Sequence, residues 1–332
     1  MQQDPILSII IPCNNNKDVS DLCFSLQKQK TQEVEIIIVD DGSNPPLKNH
    51  LEKFDFKYIY KENSGPGNSR NHGAKFATGK YFLFLDSDLI APDNMIKKIL
   101  YKINENNIDI CSIFYSNKCN NNGVGENFKT LFDFFHNRLN KTKGFIESLH
   151  GSSCIFEKNV FNDLKGWNSI FNTPSLENEE FASRIIKSKK YKITFFPDLE
   201  FHHKFKSSLI LLKTIYYRSM SWTNLFLSKK VSFDGLLRTK KTGFLYSQPL
   251  LILFFLSLST IFPFLMYCAL ISLTIFLYGN LNFYTFILSE KNIYNSIKYI
   301  LFHYIYLIFV NLGALSGFIL NYFNKITKNQ KK

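Results

Sequence analysis

The chain has 332 residues, of which 45% are hydrophobic, and its mean hydropathy is −0.09. These averages alone describe one or two ordinary soluble domains. The distribution of charge excludes a wholly soluble chain, because 48 residues without a charge separate Lys241 from Glu290 and another 26 separate Lys298 from Lys325. We therefore expect a protein that is attached to a membrane.

The formal net charge is +13. The first 230 residues contain 31 basic and 25 acidic side chains, whereas the last 102 contain nine and two, so the apolar end has the denser basic excess. This pattern suits an anionic membrane surface. No clustered basic helix or aromatic-basic platform is present in the sequence, so we do not expect a nucleic-acid partner.

The cysteines and the first residues of the chain predict a cytosolic location for the polar part. The six cysteines lack any metal-ligand spacing, and we interpret them as reduced. The opening MQQDPILSIIIP has no basic segment before its short apolar run, so it does not resemble a signal peptide. We expect the part before the first membrane segment to stay in the cytoplasm.

In chain order, short apolar runs alternate with helical patterns. The predicted elements are a strand at 7–12, a helix at 18–30, a strand at 35–43, a helix near 67–78 and a strand at 81–88. Two of these strands end in acidic residues. The pattern is typical of an α/β domain with an open parallel sheet, in which ligands bind at the carboxyl ends of the strands. Both acidic pairs should therefore lie at one shared site.

Asp86 and Asp88 follow the apolar strand FLFL and are two residues apart, so both carboxylates should face the same way. Carboxylate oxygens next to a diphosphate are suitable ligands for Mg²⁺ or Mn²⁺. A pair of capping or turn residues is the alternative interpretation. Asp40 and Asp41 end the other strand, where a carboxylate could accept the imide N–H of uracil; the alternative is an Asp-Gly turn with Gly42.

The segment NSGPGNSRNHG at 63–73 lies between the two acidic pairs. Gly65, Gly67 and the helix that starts behind them could present backbone N–H groups to an anion. Arg70 is one of only five arginines and offers a forked donor for phosphate. No Walker lysine is present, which argues against an ATPase, and no GxGxxG follows the first strand, which argues against a dinucleotide enzyme.

Together, SIIIPCNN at 8–15, IIIVDDGS at 36–43 and GPGNSRNHGAKFATGKYFLFLDSD at 65–88 resemble family 2 of the inverting nucleotide-sugar glycosyltransferases. The resemblance covers about the first 100 residues and implies a GT-A fold, that is, a Rossmann-like mixed sheet. It implies a donor site in which Pro12, Asn14 and Asp40 belong to the nucleotide-binding edge, Asp41 contacts the base, Gly65, Arg70 and Asn71 contact the donor, Asp86 contacts the ribose or diphosphate, and Asp88 binds the metal together with Asp86.

Further segments extend the resemblance. LKGWNSIFNTPSLENEEFASRI at 164–185, which we call the acceptor segment, resembles the family segment in which a Gly-Gly-Phe loop precedes Pro-Ser-x-Glu-Asp-x-Glu-Leu and an Arg. PDLEFHHKFKSSL at 197–209 is similar to the segment whose histidine completes the metal shell in some members. The register favours His203 as that ligand, with His202 as its competitor. RSMSWTNLFL at 218–227 and HYIYLIF at 303–309 resemble a membrane-attached subgroup with C-terminal transmembrane spans.

One departure from the family pattern concerns the general base. The position that is usually Asp is Asn178 in this chain, and an amide cannot accept the proton of a hydroxyl. Either Glu177 or Glu179 replaces it, with Glu177 favoured, or Asn178 marks reduced activity. Acidic residues here could also serve only to stabilise the start of a helix. Glu180 and Arg184 are four residues apart, which predicts an ion pair between them.

The predicted organisation is a catalytic domain at 1–205, an interfacial amphipathic helix and basic linker at 206–241, a transmembrane region at 242–324 and a basic tail at 325–332. The alternative for 206–228 is an ordinary surface helix. The transmembrane region holds two or three spans. The basic tail favours an even number, whereas the length and Pro263 favour three, at about 244–261, 263–279 and 299–323, and we prefer three. A single long tilted span over 242–289 is the other possibility.

These inferences predict a metal-dependent inverting glycosyltransferase with Mg²⁺ or Mn²⁺ as cofactor. It would move a sugar from a nucleotide-sugar donor, with UDP favoured, to a hydroxyl of a lipid-linked or glycan acceptor in cell-envelope polysaccharide biosynthesis. The expected location is the cytoplasmic membrane, as a multi-pass protein with its catalytic domain on the cytoplasmic side. The alternative is a catalytically weak nucleotide-sugar-binding or scaffold protein of a glycan-assembly complex.

Overall fold

A computed structural model describes residues 4–119, 122–139, 141–171, 177–227 and 240–329. The chain forms two compact units, Met1–Asn120 with His136–Lys204 and Asn121–Phe135 with Phe205–Lys332. We call them the first and the second unit. Positions 228–239 of the predicted helix and basic linker at 206–241 lie outside the described residues, as do positions 172–176 of the acceptor segment.

The first unit alternates strands and helices, as the apolar pattern predicts. Its strands are β1 (Leu7–Cys13), β2 (Val34–Asp41), β3 (Lys57–Lys61), β4 (Tyr81–Leu85), β5 (Leu89–Ile90), β6 (Ile110–Ser112), β7 (Phe114–Tyr115), β8 (Gly144–Ile146), β9 (Ser153–Glu157), β10 (Ile193–Phe195) and β11 (Glu200–His203). Its helices are α1 (Val19–Gln27), α2 (Lys48–Leu51), α3 (Pro66–Ala74), α4 (Met95–Glu105), α6 (Lys158–Asp163) and α7 (Glu177–Ser188), and α5 (Val124–Phe134) belongs to the second unit.

The main sheet has eight strands in the order β3-β2-β1-β4-β9-β6-β10-β8. The first four strands are mutually parallel, whereas β9 is antiparallel to both β4 and β6. The predicted α/β fold with a mixed sheet is therefore confirmed. Because β1, β2 and β4 are parallel neighbours, their carboxyl ends meet at one edge, which brings the loops after Cys13, Asp41 and Leu85 together.

A second sheet, in the order β5-β11-β7, contains three short strands. β5 and β11 are antiparallel, and their register sets His203 opposite Leu89. The backbone N–H of Lys204 also donates to the carbonyl of Asp88 at 2.9 Å. This small sheet therefore fixes the position of the histidine segment against the end of the acidic loop.

The core of the first unit explains why the apolar strands pack as they do. Both faces of the central strands are buried, and the aromatic rings of β4 and β9 interlock with Phe161, Trp167 and Phe181. α1 buries Val19, Leu22, Cys23 and Leu26, the one-face spacing that predicts it. Trp167 is 2% exposed and contacts the rings of Phe84 and Phe156, so it joins the sheet to the acceptor segment.

The second unit is helical within the described residues. It contains α5, α8 (Ser208–Leu227), α9 (Lys240–Ser259), α10 (Leu265–Gly279), α11 (Leu281–Glu290) and α12 (Ile293–Asn329). α5 packs with Leu211, Phe283 and Tyr306 through its Phe128 and Phe132 faces. The sequence predicts that α5 belongs to the catalytic domain. The structure instead places α5 in the second unit, because its aromatic side chains pack against apolar residues there.

Among the residues that the structure describes, two helices are long and apolar enough to span a membrane, α9 over Thr242–Ser259 and α12 over Ile293–Asn324. α10 and α11 are bent by 56° at their break and would make a third span if they act as one. The predicted break at Pro263 is confirmed, because it lies in the turn between α9 and α10. The break divides 242–289 into separate helices, which favours shorter segments over a single tilted span. Near Pro249, which lies inside α9, the Tyr304 hydroxyl donates to the carbonyl of Pro249 and the Asn311 amide donates to that of Tyr246, so α12 is bonded to α9 there.

α8 lies beside α12 and runs parallel to it. Gly313 faces the carbonyl of Tyr216 and Gly317 faces that of Met220, and a Cβ at either glycine would stand 2.2–2.3 Å from those oxygens. Asn321 of α12 donates to Asn224 of α8 one turn further on. A helix lying flat at the membrane surface would cross a spanning helix rather than follow it. The packing of α8 therefore differs both from the predicted interfacial helix and from the alternative of an ordinary surface helix.

Candidate functional site

Asp40 ends β2 in a fully buried position. Its carboxylate accepts hydrogen bonds from the backbone N–H groups of Ser43 and Leu47 and from the hydroxyl of Tyr58. Burial raises the pKa of Asp40, but these hydrogen bonds outweigh it and hold the pKa below its usual value. Both oxygens are thus occupied within the protein, and Asp40 closes the turn behind the site.

Asp41 joins three segments at the edge of the sheet. Its Oδ1 accepts from the N–H of Ser64 and from Lys61, and its Oδ2 accepts from the N–H of Gly65 at 2.9 Å. Asn14, in the loop after Pro12 on β1, donates to the carbonyl of Asp41 at 2.6 Å. A carboxylate offers about four acceptor positions, so one position on Asp41 is left for a further donor.

The turn after Asp41 requires glycine. Gly42 has a φ of +74°, which L side chains rarely adopt, and a Cβ there would stand 2.7 Å from the backbone nitrogen of Asn63. Gly65 has a φ of +90° and directly precedes Pro66, the first residue of α3. The two glycines therefore let the β2 and β3 loops approach each other closely around Asp41.

Arg70 of α3 forms a buried ion pair with Asp86. Arg70 is 1% exposed, whereas the Asp86 side chain is 28% exposed. Burial lowers the pKa of Arg70, but the charges of Asp86 and Glu177 outweigh it and raise the pKa. Burial likewise raises the pKa of Asp86, and the Arg70 guanidinium reverses that shift and keeps Asp86 ionised. Arg70 thus has carboxylates of the sheet edge and of α7 as charge partners.

The side-chain amide of Asn71 forms two hydrogen bonds with the backbone of the acceptor segment. Its Nδ2 donates to the carbonyl of Trp167 at 2.7 Å, and its Oδ1 accepts the N–H of Trp167 at 2.9 Å. This pair of bonds resembles one step of a β-ladder. The structure therefore places Asn71 as a link between α3 and the loop that contains Trp167, beside Arg70 on the same helix.

Asp88 and His203 come together at the end of β11. Asp88 Oδ1 lies 3.4 Å from His203 Nε2, whereas His202 is hydrogen-bonded through Nδ1 to Ser116. A group of three acidic, histidine or cysteine side chains with metal-ligand geometry does not occur in the described part of the chain. One carboxylate and one imidazole, completed by substrate oxygens and water, still suit a divalent ion that binds few protein ligands, so these residues fit.

Asn178 accepts a hydrogen bond from the buried indole of Trp167. The distance from Nε1 of Trp167 to Oδ1 of Asn178 is 3.0 Å. The amide also lies against Gly151, where a Cβ would stand 2.0 Å from the same oxygen. Because the indole can only donate, it fixes which side of the Asn178 amide is the oxygen. The residue at the family's base position is thus held as an acceptor toward Trp167.

The other acidic residues of the first turn of α7 differ in environment. Glu177 is 5% exposed, and its negative charge raises the pKa of Arg70. Glu179 is half-buried. The predicted ion pair between Glu180 and Arg184 is confirmed, with Nε of Arg184 2.6 Å from the carboxylate. Arg184 also donates to the carbonyls of Leu164 and Gly166, so it holds the start of the acceptor segment against α7.

Three residues that the motif analysis does not single out contribute to this geometry. Trp167 connects α3 to Asn178, Lys61 contacts Asp41, and Gly151 leaves room for Asn178. The tryptophan could have been noticed, because the sequence contains only two and this one follows a glycine in the acceptor segment. The other two depend on contacts between distant parts of the chain.

Residues 8–165 match the family described as Glycosyl transferase family 2. An uncharacterized glycosyltransferase of Haemophilus influenzae (strain ATCC 51907 / DSM 11121 / KW20 / Rd) is 28% identical over 203 residues, which cover 56% of this chain and 61% of the relative. The uncharacterized glycosyltransferase YfnE of Bacillus subtilis (strain 168) is 31% identical over 140 residues, 40% of this chain and 32% of the relative. The chain thus covers less than two thirds of either relative.

Among solved structures, the mannosyltransferase PcManGT of Pyrobaculum calidifontis in complex with GDP-Man and Mn²⁺ has a TM-score of 0.50 and 12% identity. The match covers 94% of this chain and 88% of that protein. At this identity the similarity concerns the fold alone.

Proposed function

Because residues 8–165 place this chain among the family 2 glycosyltransferases, we propose that it is a metal-dependent inverting glycosyltransferase that uses a nucleotide-sugar donor. One observation supports this proposal above the others. A buried Arg70–Asp86 pair and the Asp88–His203 pair flank one loop at the carboxyl edge of the sheet, which is where an anionic donor is expected.

The donor half of the proposal uses the residues around Asp41. One acceptor position of its carboxylate is left, and an imide N–H of uracil would fill it, so UDP is the favoured nucleotide. Pro12 and Asn14 would border the base, and Gly65 and Asn71 would shape the wall of the site beside Arg70. Asp86, kept ionised by Arg70, would accept hydrogen bonds from ribose hydroxyls.

Asp88 and His203 would hold a divalent cation, Mg²⁺ or Mn²⁺, with Asp86 close by in the same loop. Such an ion neutralises negative charge on a departing diphosphate. Asp88 supplies the hard oxygen ligand that this chemistry needs, and the register of β5 and β11 holds His203 beside it.

Glu177 is the proposed general base. It lies on the same turn as Asn178 and Glu179. Its negative charge raises the pKa of Arg70, which connects it to the donor side of the site. Its carboxylate would take the proton of an acceptor hydroxyl while that oxygen forms a bond to the anomeric carbon. The bond from this carbon to the diphosphate breaks, and the nucleoside diphosphate leaves with the electron pair.

A membrane-held acceptor is the third part of the proposal. α9 and α12 are candidate spans, which would keep the first unit near a bilayer and favour a lipid-linked or glycan acceptor of cell-envelope polysaccharide synthesis. The basic residues that flank the spans favour a multi-pass protein with the catalytic unit on the cytoplasmic side, where nucleotide sugars are made.

Asn178 supports a second candidate, a nucleotide-sugar-binding or scaffold protein with little catalysis. The amide has no basic function, and its oxygen is engaged with Trp167. Such a protein would bind donors as tightly as an enzyme but would release no nucleotide. The two candidates therefore differ in turnover and not in affinity.

A screen of sugar-nucleotide donors distinguishes the enzyme from the scaffold protein. Purified full-length chain in detergent is incubated with UDP- and GDP-linked sugars, and the released nucleoside diphosphate is measured. We expect release from one UDP-linked sugar in the presence of Mg²⁺ or Mn²⁺ and its loss on adding EDTA. Donor binding by calorimetry without release from any donor or acceptor mixture would support the scaffold candidate instead.

A further inference from the structure

A polar groove of about 510 Å³ lies on the outer face of α3, between that helix and the acceptor segment. The inner face of α3 buries Gly67, Ser69, Arg70 and Gly73 against the sheet. The opposite face, one helical turn apart, contributes the lining residues Asn68, His72 and Lys75. The groove is thus on the other side of α3 from the Arg70–Asp86 pair, and it borders the proposed donor site through Asn71, which lines the groove as well.

The groove is strongly basic. Three lysines line it, one from β3, one that directly follows α3 and one from the acceptor segment, and no acidic residue lines it within the described chain. They are Lys61, Lys75 and Lys165. Lys75 and Lys165 are exposed and have no carboxylate at ion-pair distance among the residues that the structure describes. Asp163, near Lys165 in sequence, is instead paired with Lys190.

Lys165 lines the groove from a turn with an unusual backbone conformation. Lys165 has a φ of +59° and Gly166 a φ of +58°, so two consecutive residues adopt the left-handed conformation. This conformation is costly for lysine, which has no side-chain group that bonds to its own backbone. Arg184 holds the following carbonyl of Gly166, so the turn is fixed by contacts outside the groove.

Hydrogen-bonding groups complete the lining. Asn68 and Asn162 border the groove with Ser169, and His72 lies between Lys61 and Lys75. Burial lowers the pKa of His72, and the charges of Lys61 and Lys75 lower it further, so its ring is neutral at pH 7. A neutral imidazole among lysines adds hydrogen bonds without adding to the repulsion between cations.

From these observations we propose that the groove is a second ligand site, adjacent to the donor site, which binds the diphosphate of a larger polar ligand. Lys75 and Lys165 supply two uncompensated ammonium groups to a diphosphate, Lys61 could supply a third by leaving Asp41, and lysine binds phosphate as a point charge. A single carboxylate would need only one of them. The groove is larger than a diphosphate, and its asparagines and serine suit the hydroxyl groups of an attached saccharide.

Lys61 gives this site a physical connection to the donor side. Its ammonium group contacts Asp41, Ser64 and the carbonyl of Glu62 while its side chain lines the groove. An anion in the groove would compete with Asp41 for the same ammonium group. Occupancy of the groove is therefore expected to change donor affinity.

The test is a calorimetric titration of the full-length chain in detergent with inorganic pyrophosphate, without divalent cation. The groove variant combines Lys75→Gln with Lys165→Gln. The matched control combines Lys97→Gln with Lys98→Gln, which removes the same charge from exposed positions of α4. We expect the groove variant to weaken pyrophosphate binding about tenfold and the control to leave it within about twofold.

Saturating UDP should leave pyrophosphate binding in place. Equal affinities in the two variants, complete displacement by UDP or no binding to the wild-type chain would each overturn the proposal. A further titration uses a prenyl diphosphate in detergent micelles. Tighter binding than that of pyrophosphate, reduced in the groove variant, identifies a lipid headgroup as the source of the diphosphate. Equal or weaker binding, also reduced in that variant, identifies a soluble ligand.

Discussion

Asp88→Asn should lower kcat for nucleotide release by about a thousandfold, because the metal supplies several kcal/mol of charge stabilisation in the transition state. Asparagine keeps the size of the side chain but loses the negative charge that faces His203 at 3.4 Å. The measurement is steady-state turnover with a sugar nucleotide at saturating Mg²⁺ or Mn²⁺. The metal concentration for half-maximal turnover should rise as well.

Asp93→Asn is the matched control. Asp93 is an exposed carboxylate in the loop before α4, so the same chemical change there removes one charge without touching the site. The control should keep wild-type turnover, and both variants should unfold at the wild-type temperature. Turnover of Asp88→Asn within about tenfold of wild type would show that Asp88 is not the principal metal ligand.

Glu177→Gln should lower kcat by about a hundredfold or more while the affinity for donor changes little. The proton of the acceptor hydroxyl then has no carboxylate to accept it, whereas the donor contacts of Asp41 and Asp88 are retained. The measurement is kcat for transfer as a function of pH, together with the Kd for nucleoside diphosphate. If Glu177 is the base, kcat of the wild-type chain falls at low pH as its carboxylate becomes protonated, and the variant should lose this fall. A purely structural role of Glu177 would not produce such a fall.

Two neighbouring variants make this assignment specific. Glu179→Gln applies the same change to the next acidic residue and should alter kcat only a few-fold. Asn178→Asp should also have a small effect, because an aspartate can still accept the indole N–H of Trp167. If Glu179→Gln has the larger effect, the base is Glu179. If Asn178→Asp raises kcat sharply, the natural chain lacks its base and the scaffold candidate is favoured.

Much of the fold follows from short-range pattern. β1, β2 and β4 are continuous apolar runs that end in polar residues, and such strands are buried on both faces of a parallel sheet. Pro263 predicts the break between α9 and α10 for an equally local reason. α3 is shorter than its pattern suggests and ends at Ala74 rather than near residue 78, and the N–H groups of Lys75, Phe76 and Ala77 bond three residues back in a tighter turn.

The remaining features depend on contacts that no local pattern contains. Asn71 bonds to Trp167, which is 96 residues further along the chain, and α5 packs into the second unit through aromatic side chains that could serve any core. His202 and His203 differ only by strand register, which the pairing of β5 with β11 sets. Motif reasoning could name the residues of the edge but not the partner that each side chain contacts.

The anomeric configuration of the transferred sugar, determined by proton NMR of the product, tests most directly whether this sheet edge performs a single in-line displacement. A base on α7 and a metal-bound diphosphate on the opposite side of the anomeric carbon predict inversion of the donor configuration. A product that retains the donor configuration would contradict the proposed roles of Glu177 and Asp88 together.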